Sequence, residues 1–133
     1  MASQLDRPTQ ELHIDAGPEG LATARTCAAD AATAFGLDEL ARCDVVLAVN
    51  EAVTNALFHG VPDEHGRVRL EANVGHERLT FSVHDKGRFR RPAITTPEDD
   101  HGRGLKIIGE VMDEVLLTIG PAGTTVQFSR LRR

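Results

Sequence analysis

Two short stretches of alternating apolar and polar residues are the feature that most constrains the fold of this chain. Residues 67–74 (RVRLEANV) and 78–85 (RLTFSVHD) both follow the two-residue period of a strand with one buried face. Only Gly-His-Glu separates them, which is the length of a short hairpin loop. The sequence therefore predicts an antiparallel pair, because parallel strands need a crossover of about a dozen residues or more.

Apolar periodicity, cap residues and turn residues predict the other elements. They are a strand over 11–16, helices over 17–36, 38–58 and 105–113, and a second hairpin of 114–120 with 124–131. Hairpins dominate the strand pairing, so the mixed sheet should be mostly antiparallel. Three helices would cover one face of it, which predicts a two-layer α/β sandwich of the α+β class.

Length, charge and cysteine usage narrow the class of protein. A chain of 133 residues can form one core, so we expect a single domain over residues 11–133 after a flexible N-terminus over residues 1–10. The net charge of −5 and the lack of Trp and Tyr argue against direct nucleic-acid binding. Cys27 and Cys43 have no metal-site spacing, and we expect both to be small buried residues.

The sequence also gives no sign of a membrane segment. No apolar stretch reaches membrane-spanning length, and the first ten residues are polar, without the apolar core of a signal peptide. With two unpaired cysteines, this predicts a cytoplasmic, reduced protein that has no membrane partner.

A carboxylate and a carboxamide lie together on the second predicted helix. Glu51 and Asn55 are one turn apart and point the same way, between the apolar residues Leu47 and Phe58. Carboxylate and amide oxygens are hard ligands that suit Mg²⁺ or a water held against a phosphate. The alternative is a hydrogen-bonded pair on a solvated helix face.

The end of the first hairpin carries a second candidate site, in the sequence HDKG. A carboxylate such as Asp85 at a strand end can accept a hydrogen bond from an exocyclic amine, for example that of adenine. Gly87 has no Cβ and would let a ring approach the backbone closely. The alternative is a simple turn, since Asp-x-Gly is common turn chemistry.

Glycines near residue 105 form a third candidate site. Gly102 and Gly104 precede the third predicted helix, whose unpaired amides and positive dipole end would favour an anion such as a triphosphate. Arg103 and Lys106 could add positive charge. The alternative is a flexible segment that leads into the helix.

These segments together resemble a known superfamily. EAVTNALFHG, DKG, GRGLKII, MDEV and GTTV occur in the order and at the distances of the histidine-kinase-like (Bergerat) ATPase fold. Gyrase, heat-shock chaperones, sensor histidine kinases and mismatch-repair proteins share that fold. Within it, the chain is most similar to small bacterial anti-sigma factors that double as serine/threonine kinases. The resemblance extends from about residue 11 to the C-terminus.

The resemblance implies a role for each matching residue. Glu51 would be the general base or orient a water, and Asn55 would bind Mg²⁺. Asp85 would contact adenine, Gly87 would lie beneath the base, and Thr124 would help to read adenine through its hydroxyl. ATP and Mg²⁺ are the cofactors that it implies.

The phosphates are assigned to the third segment. Gly102, Gly104 and the N–H of Leu105 would hold them, with Arg103 adding positive charge. A departure from the family pattern lies nearby, since Phe89 stands where Asp-x-Gly-x-Gly would place its last glycine.

The function that the resemblance implies is partner switching. The protein would sequester an RNA polymerase sigma factor and use Mg-ATP to phosphorylate a Ser or Thr on an anti-anti-sigma antagonist, acting as a homodimer. The alternative, favoured by Phe89, is a binding module that regulates a sigma factor by sequestration without chemistry. A detached histidine kinase domain is disfavoured, because the chain has no dimerisation helix with a phosphoacceptor His.

Overall fold

The computed structural model of the protein describes residues 10–87 and 100–132, and for residues 100–104 it describes the backbone alone. In chain order the elements are β1 (Gln10–Asp15), α1 (Pro18–Phe35), α2 (Glu39–Phe58), β2 (Arg67–Val74), β3 (Arg78–Asp85), α3 (Asp100–Val111), β4 (Glu114–Gly120) and β5 (Gly123–Leu131).

The strands form one sheet in the order β1-β2-β3-β5-β4, and every pair of neighbours is antiparallel. Both predicted hairpins are therefore confirmed. The last strand turns back between β3 and β4, so that β5 and not β4 lies against the first hairpin. With the three helices on one face, the predicted α+β sandwich is confirmed.

The first two helices begin and end where their cap residues predicted. Pro18 opens α1, and Gly36 ends it with a left-handed φ of 95° and an amide that donates to Ala32 and Thr33. Asp38 caps α2, because its Oδ1 accepts from the amide of Ala41 at 2.9 Å. The positions of Glu51 and Asn55 on α2 follow from this start.

The third helix differs from the prediction. It spans Asp100–Val111 instead of 105–113, so Gly102 and Gly104 lie inside its first turns and not before them. Glycine disfavours helix interiors by about 1 kcal/mol, which is why the sequence placed the boundary after these residues. Packing of the helix on α2, with Ile108 fully buried, overrides that local preference.

Two other expectations fall partly or wholly outside the described residues. Residues 1–9 of the N-terminus expected to be flexible are not described, while Gln10 already belongs to β1. The loop over residues 88–99, which includes Phe89, is not described either.

The core lies between the helices and one face of the sheet. At its centre, Phe81 of β3 and Phe128 of β5 stack with ring centroids 5.7 Å apart, and both are fully buried. Apolar side chains of α1, α2 and α3, including Phe35, Val49 and Ile108, close over them. This packing fixes the helices over the sheet and so sets where their polar faces can lie.

The other face of the sheet is polar. Thr80 and Ser129 hydroxyls lie 2.9 Å apart, and His84 contacts Thr125 Oγ1 at 2.7 Å and Glu71 Oε1 at 3.3 Å. Such a face needs no second layer of helices to cover it.

The cysteines follow the expectation only in part. Cys27 is buried, its Sγ lies 3.3 Å from Gln10 Oε1, and burial raises the pKa of its thiol. Cys43, expected to be buried, is exposed on α2. None of the described helices is both long enough and apolar enough to cross a membrane.

We expect the cap of α2 to contribute measurably to stability. Asp38→Ala should lower the free energy of unfolding by about 1 kcal/mol, because the amide of Ala41 loses its acceptor. Asp38→Asn keeps an acceptor oxygen and should stay close to wild type. Urea unfolding of the three proteins measures this, and equal losses for both variants would contradict it.

Candidate functional site

The last turns of α2 carry the first pair of candidate residues. Glu51 and Asn55 are half-buried and one turn apart, on the flank of the helix beside the buried stripe that includes Ala52 and Val53. This arrangement follows from the helical period, because the apolar stripe packs in the core and the pair lies at its border. The structure therefore places the two residues together, as the sequence predicted.

The apolar residues beside this pair do not enclose it. Leu47 and Phe58 flank Glu51 and Asn55 along the helix, yet they are 43% and 59% exposed. Two large apolar side chains with this exposure, beside two polar ones, form a surface that a partner protein could cover.

The end of α2 and the end of β3 meet at Asp85. The amide of Gly87 donates to Asp85 Oδ1 at 2.7 Å, and the amide of Val61 approaches the same oxygen at 3.3 Å. Nearby, the amide of Lys86 donates to the carbonyl of Val61 at 2.7 Å. Backbone from both elements thus fixes the orientation of the Asp85 carboxylate.

Two glycines make this close approach possible. A Cβ on Gly60 would lie 2.7 Å from Asp85 Oδ2 and 2.7 Å from the carbonyl oxygen of Ala56. A Cβ on Gly87 would lie 2.8 Å from Asp85 Oδ1. Real Cβ atoms are not found at such distances, so a side chain at position 60 would collide with backbone, and one at position 87 would displace the Asp85 carboxylate from its present orientation.

Thr124 joins the same cluster from the neighbouring strand. It is the register partner of Asp85 in the β3–β5 ladder and is 7% exposed. Its hydroxyl donates to the carbonyl of Gly87 at 2.8 Å. Because a hydroxyl has one proton, this bond leaves Thr124 able to act toward a ligand as an acceptor only, which suits an amino group.

Sequence reasoning missed two glycines of this cluster. Gly60 and Gly123 lie inside the motifs EAVTNALFHG and GTTV, but neither residue was assigned a role from the sequence. Gly123 has a φ of +134°, and a Cβ there would collide with the carbonyl oxygen of Asp85. Their positions directly after His59 and directly before Thr124, inside the two quoted motifs, were the available signal.

The candidate phosphate segment lies on α3. Arg130 donates to the carbonyl of Val111 at 2.7 Å and lies 3.7 Å from Asp44, so α3 ends beside the first half of α2. Since α3 packs along α2, its first turn is directed toward the end of the sheet that carries Asp85.

The order of residues within that first turn matters for anion binding. In a helix that begins at Asp100, the amides without an intrahelical partner are those of about the first four residues, which include Gly102 and Arg103. Gly104 and Leu105 follow them. The assignment of phosphates to Gly102, Arg103, Gly104 and Leu105 stays a prediction.

The described residues do not form a cluster that could bind a metal ion with protein ligands alone. Within residues 10–87 and 100–132, no three side chains of His, Cys, Asp or Glu cluster as they would around a metal ion. A magnesium ion at Asn55 would therefore take its other ligands from phosphate and water, which is the common arrangement in nucleotide sites.

We expect Gly60→Ala to disturb the Asp85 cluster. The added methyl group meets Asp85 Oδ2 and the carbonyl of Ala56, and overpacking of this kind costs about 1–3 kcal/mol of unfolding free energy. Gly109→Ala on α3 is the matched control, because nothing lies within 4 Å of its added Cβ. It should gain about 0.5–1 kcal/mol from reduced backbone entropy of the unfolded chain. Urea unfolding that ranked the two variants in the opposite order would contradict this account of Gly60.

Comparison with known proteins identifies the family of the chain. Residues 14–130 match the family described as histidine kinase-like ATPase domain. The anti-sigma F factor of Thermoanaerobacter sp. (strain X514) is 30% identical over 104 residues, which are 71% of each chain. That of Bacillus subtilis (strain 168) is 31% identical over 105 residues, covering 71% of this chain and 70% of the relative.

Two solved structures share the fold. The RsbU and RsbW domains of a Mycobacterium tuberculosis protein superpose with a TM-score of 0.68 at 27% identity, covering 95% of this chain and 34% of that one. A histidine kinase domain of Erythrobacter litoralis superposes with a TM-score of 0.57 at 21% identity, covering 84% and 60%. These findings show that the chain belongs to the histidine kinase-like ATPase domain family and that its curated relatives include bacterial anti-sigma F factors.

Proposed function

We propose that the protein is an anti-sigma factor that sequesters an RNA polymerase sigma factor and uses Mg-ATP to phosphorylate a Ser or Thr of an antagonist protein. Membership in an ATPase domain family implies ATP binding. The names of the curated relatives support a sigma factor as partner. The observation that carries the proposal is the glycine-lined Asp85 cluster at the end of the helix that bears Glu51 and Asn55.

The Asp85 cluster fits an adenine base. Gly60, Gly87 and Gly123 keep the surroundings of the carboxylate free of Cβ atoms. Asp85 and Thr124 both offer acceptor oxygens, and an adenine presents an exocyclic amine as donor. Backbone amides already hold Asp85 in orientation, so binding would cost little side-chain entropy.

Asn55 and Glu51 would contact the phosphate end of the nucleotide, opposite the adenine base. They lie one and two turns before the end of α2, on its polar side. Asn55 would hold Mg²⁺ through its amide oxygen, and the first turn of α3 would hold phosphate oxygens. When bound, magnesium ATP supplies a transferable phosphoryl group.

Glu51 would act on the acceptor hydroxyl. Phosphoryl transfer requires positioning and charge neutralisation more than covalent participation by the protein. The carboxylate of Glu51, one turn before Asn55, would orient the Ser or Thr hydroxyl and accept its proton. Leu47 and Phe58 would dock the apolar residues around that acceptor.

Phosphorylation would then switch partners. It adds up to about two negative charges to a docking surface, which disfavours close contact with the carboxylate of Glu51. The released anti-sigma factor could bind sigma factor again.

We also propose that the protein acts in the cytoplasm, as one domain over residues 11–133 and as a homodimer, without direct contact to nucleic acid.

Glu51→Ala tests the catalytic role. With labelled ATP, Mg²⁺ and the antagonist, we expect phosphorylation to fall at least about 100-fold, because the base is lost. Sigma-factor binding, measured by pull-down, should persist. Glu110→Ala, an exposed carboxylate on α3, is the control and should retain normal transfer. Transfer by Glu51→Ala at the wild-type rate would refute the assignment.

Asp85→Asn tests the base pocket. Replacing an ionised acceptor by an amide should weaken ATP binding about 10- to 100-fold, the value of one charge-assisted hydrogen bond. Asp15→Asn removes an exposed carboxylate from β1 and should leave ATP binding unchanged. Isothermal titration calorimetry measures the ATP affinity of both variants. An unaltered affinity for Asp85→Asn would show that the adenine base does not bind at Asp85.

The second candidate function is a non-catalytic module that sequesters its partner. Phe89, in place of a family glycine, is the observation that favours it. The assay with labelled ATP separates the two functions. Stable complexes with sigma factor and antagonist, but no labelled product from wild-type protein, would support the module.

A further inference from the structure

The segment MDEV, which follows α3, is the quoted motif that the proposed function leaves without a role. Its second residue, Asp113, is held by the last strand. The amide of Asp113 donates to the carbonyl of Ser129 at 2.9 Å, and its Oδ2 accepts from the amide of Leu131 at 2.7 Å. Arg130, the residue between these two on β5, approaches the same segment with its side chain. The chain directly after α3 is therefore fixed to β5.

The guanidinium of Arg130 joins three elements. Its Nη1 donates to the carbonyl of Val111, the last residue of α3, at 2.7 Å, and lies 3.7 Å from Asp44 Oδ2 in the first half of α2. Its Nε lies 4.0 Å from Asp113 Oδ2. The side chain is 20% exposed, so these contacts are screened by water less than those of a surface ion pair. A planar, rigid guanidinium with several partners fixes those partners relative to one another.

The sequence of α3 makes such an anchor necessary. Three of its twelve residues are glycine, and a short helix with low propensity depends on tertiary contacts for its stability. Ile108 and Met112 are buried and hold its apolar side. Arg130 holds its end, since a cation that donates to a last-turn carbonyl stabilises a helix C-terminus. These three contacts lie in the second half of the helix or just after it.

The length of α3 carries the effect of this anchor to the candidate phosphate segment. Twelve helical residues span about 18 Å. Arg130 and Thr124 lie on the same face of β5, six residues apart, which is about 20 Å along a strand. The two lengths are similar, and α3 packs along α2, whose own end reaches Asp85. An anchor at the end of α3 therefore sets where its first turn lies beside the Asp85 cluster.

We propose that Arg130 is a positioning residue for phosphate binding, because it fixes the end of α3 against α2 and thereby sets the first turn of α3 relative to Asn55. The inference rests on the proposed function and deepens it. Arg130 does not contact the nucleotide and acts through the helix. Base binding at Asp85 is independent of it, since Arg130 lies at the other end of β5 from Thr124.

Isothermal titration calorimetry with Mg-ATP tests this role. Arg130→Met keeps the apolar stem, and we expect it to bind ATP about 10-fold more weakly, because the end of α3 loses a charge-assisted hydrogen bond. Arg130→Lys keeps the charge and a donor and should stay within about 3-fold of wild type. Arg78→Met is the matched control. It removes an arginine that pairs with Glu114 at 2.9 Å on the outer face of the sheet, and its ATP affinity should be unchanged.

Adenosine separates positioning from a general loss of structure, because it has the base and the sugar but no phosphates. In chemical-shift titrations at millimolar concentration, wild type and all three variants should bind adenosine equally well. A variant with a damaged fold would lose adenosine together with ATP. Circular dichroism identifies such a variant. If Arg130→Met does not fold, Asp44→Asn weakens the α2 side of the same contact and decides the test, with an expected loss of ATP affinity of about 3-fold.

The possible failures can be told apart. A deciding variant with unchanged ATP affinity, an equal loss of ATP and adenosine in a folded variant, a loss in Arg78→Met as large as in Arg130→Met, or an Arg130→Lys protein no better than Arg130→Met would each overturn the inference. Each of these results would leave the proposed function intact, because wild type would still bind ATP. A wild-type protein that binds neither ligand would overturn the proposed function, and the inference with it.

Discussion

The contact between the end of α2 and the end of β3 is the constraint on which the rest of the site depends. Asp85 Oδ1 accepts backbone amides from Gly87 and Val61, one from each side of the contact. The helix can approach the strand this closely because Gly60 has no side chain. If this contact were looser, Asn55 on the helix and Asp85 on the strand would no longer have a fixed separation.

The position of β5 provides the other half of the site. By turning back between β3 and β4, the last strand places Thr124 beside Asp85, although the two residues are 39 positions apart in the sequence. The hydroxyl of Thr124 then holds the carbonyl of Gly87. The same turn leaves β4 at the edge of the sheet, so one topological step both completes the candidate base pocket and decides which strand forms the edge.

Two surfaces with different chemistry follow from this arrangement. The polar face of α2 combines Glu51 and Asn55 with the exposed Leu47 and Phe58, which suits a protein substrate beside a nucleotide. The edge strand β4 carries the aliphatic side chains of Val115, Leu116 and Ile119, which are 38%, 58% and 46% exposed.

Much of the fold could be predicted from the sequence, because those signals are local. The period of two in β2 and β3, the cap at Asp38 and the left-handed glycine at position 36 each act within a few residues. The chemistry of the residues and the order of the motifs also indicated the site candidates, which are Glu51, Asn55, Asp85 and Thr124. Only the tertiary structure decided the start of α3, the need for glycine at positions 60 and 123, and which strand forms the edge. Those features depend on packing between segments that are distant in the chain. Local propensity carries no information about which space such a segment will fill.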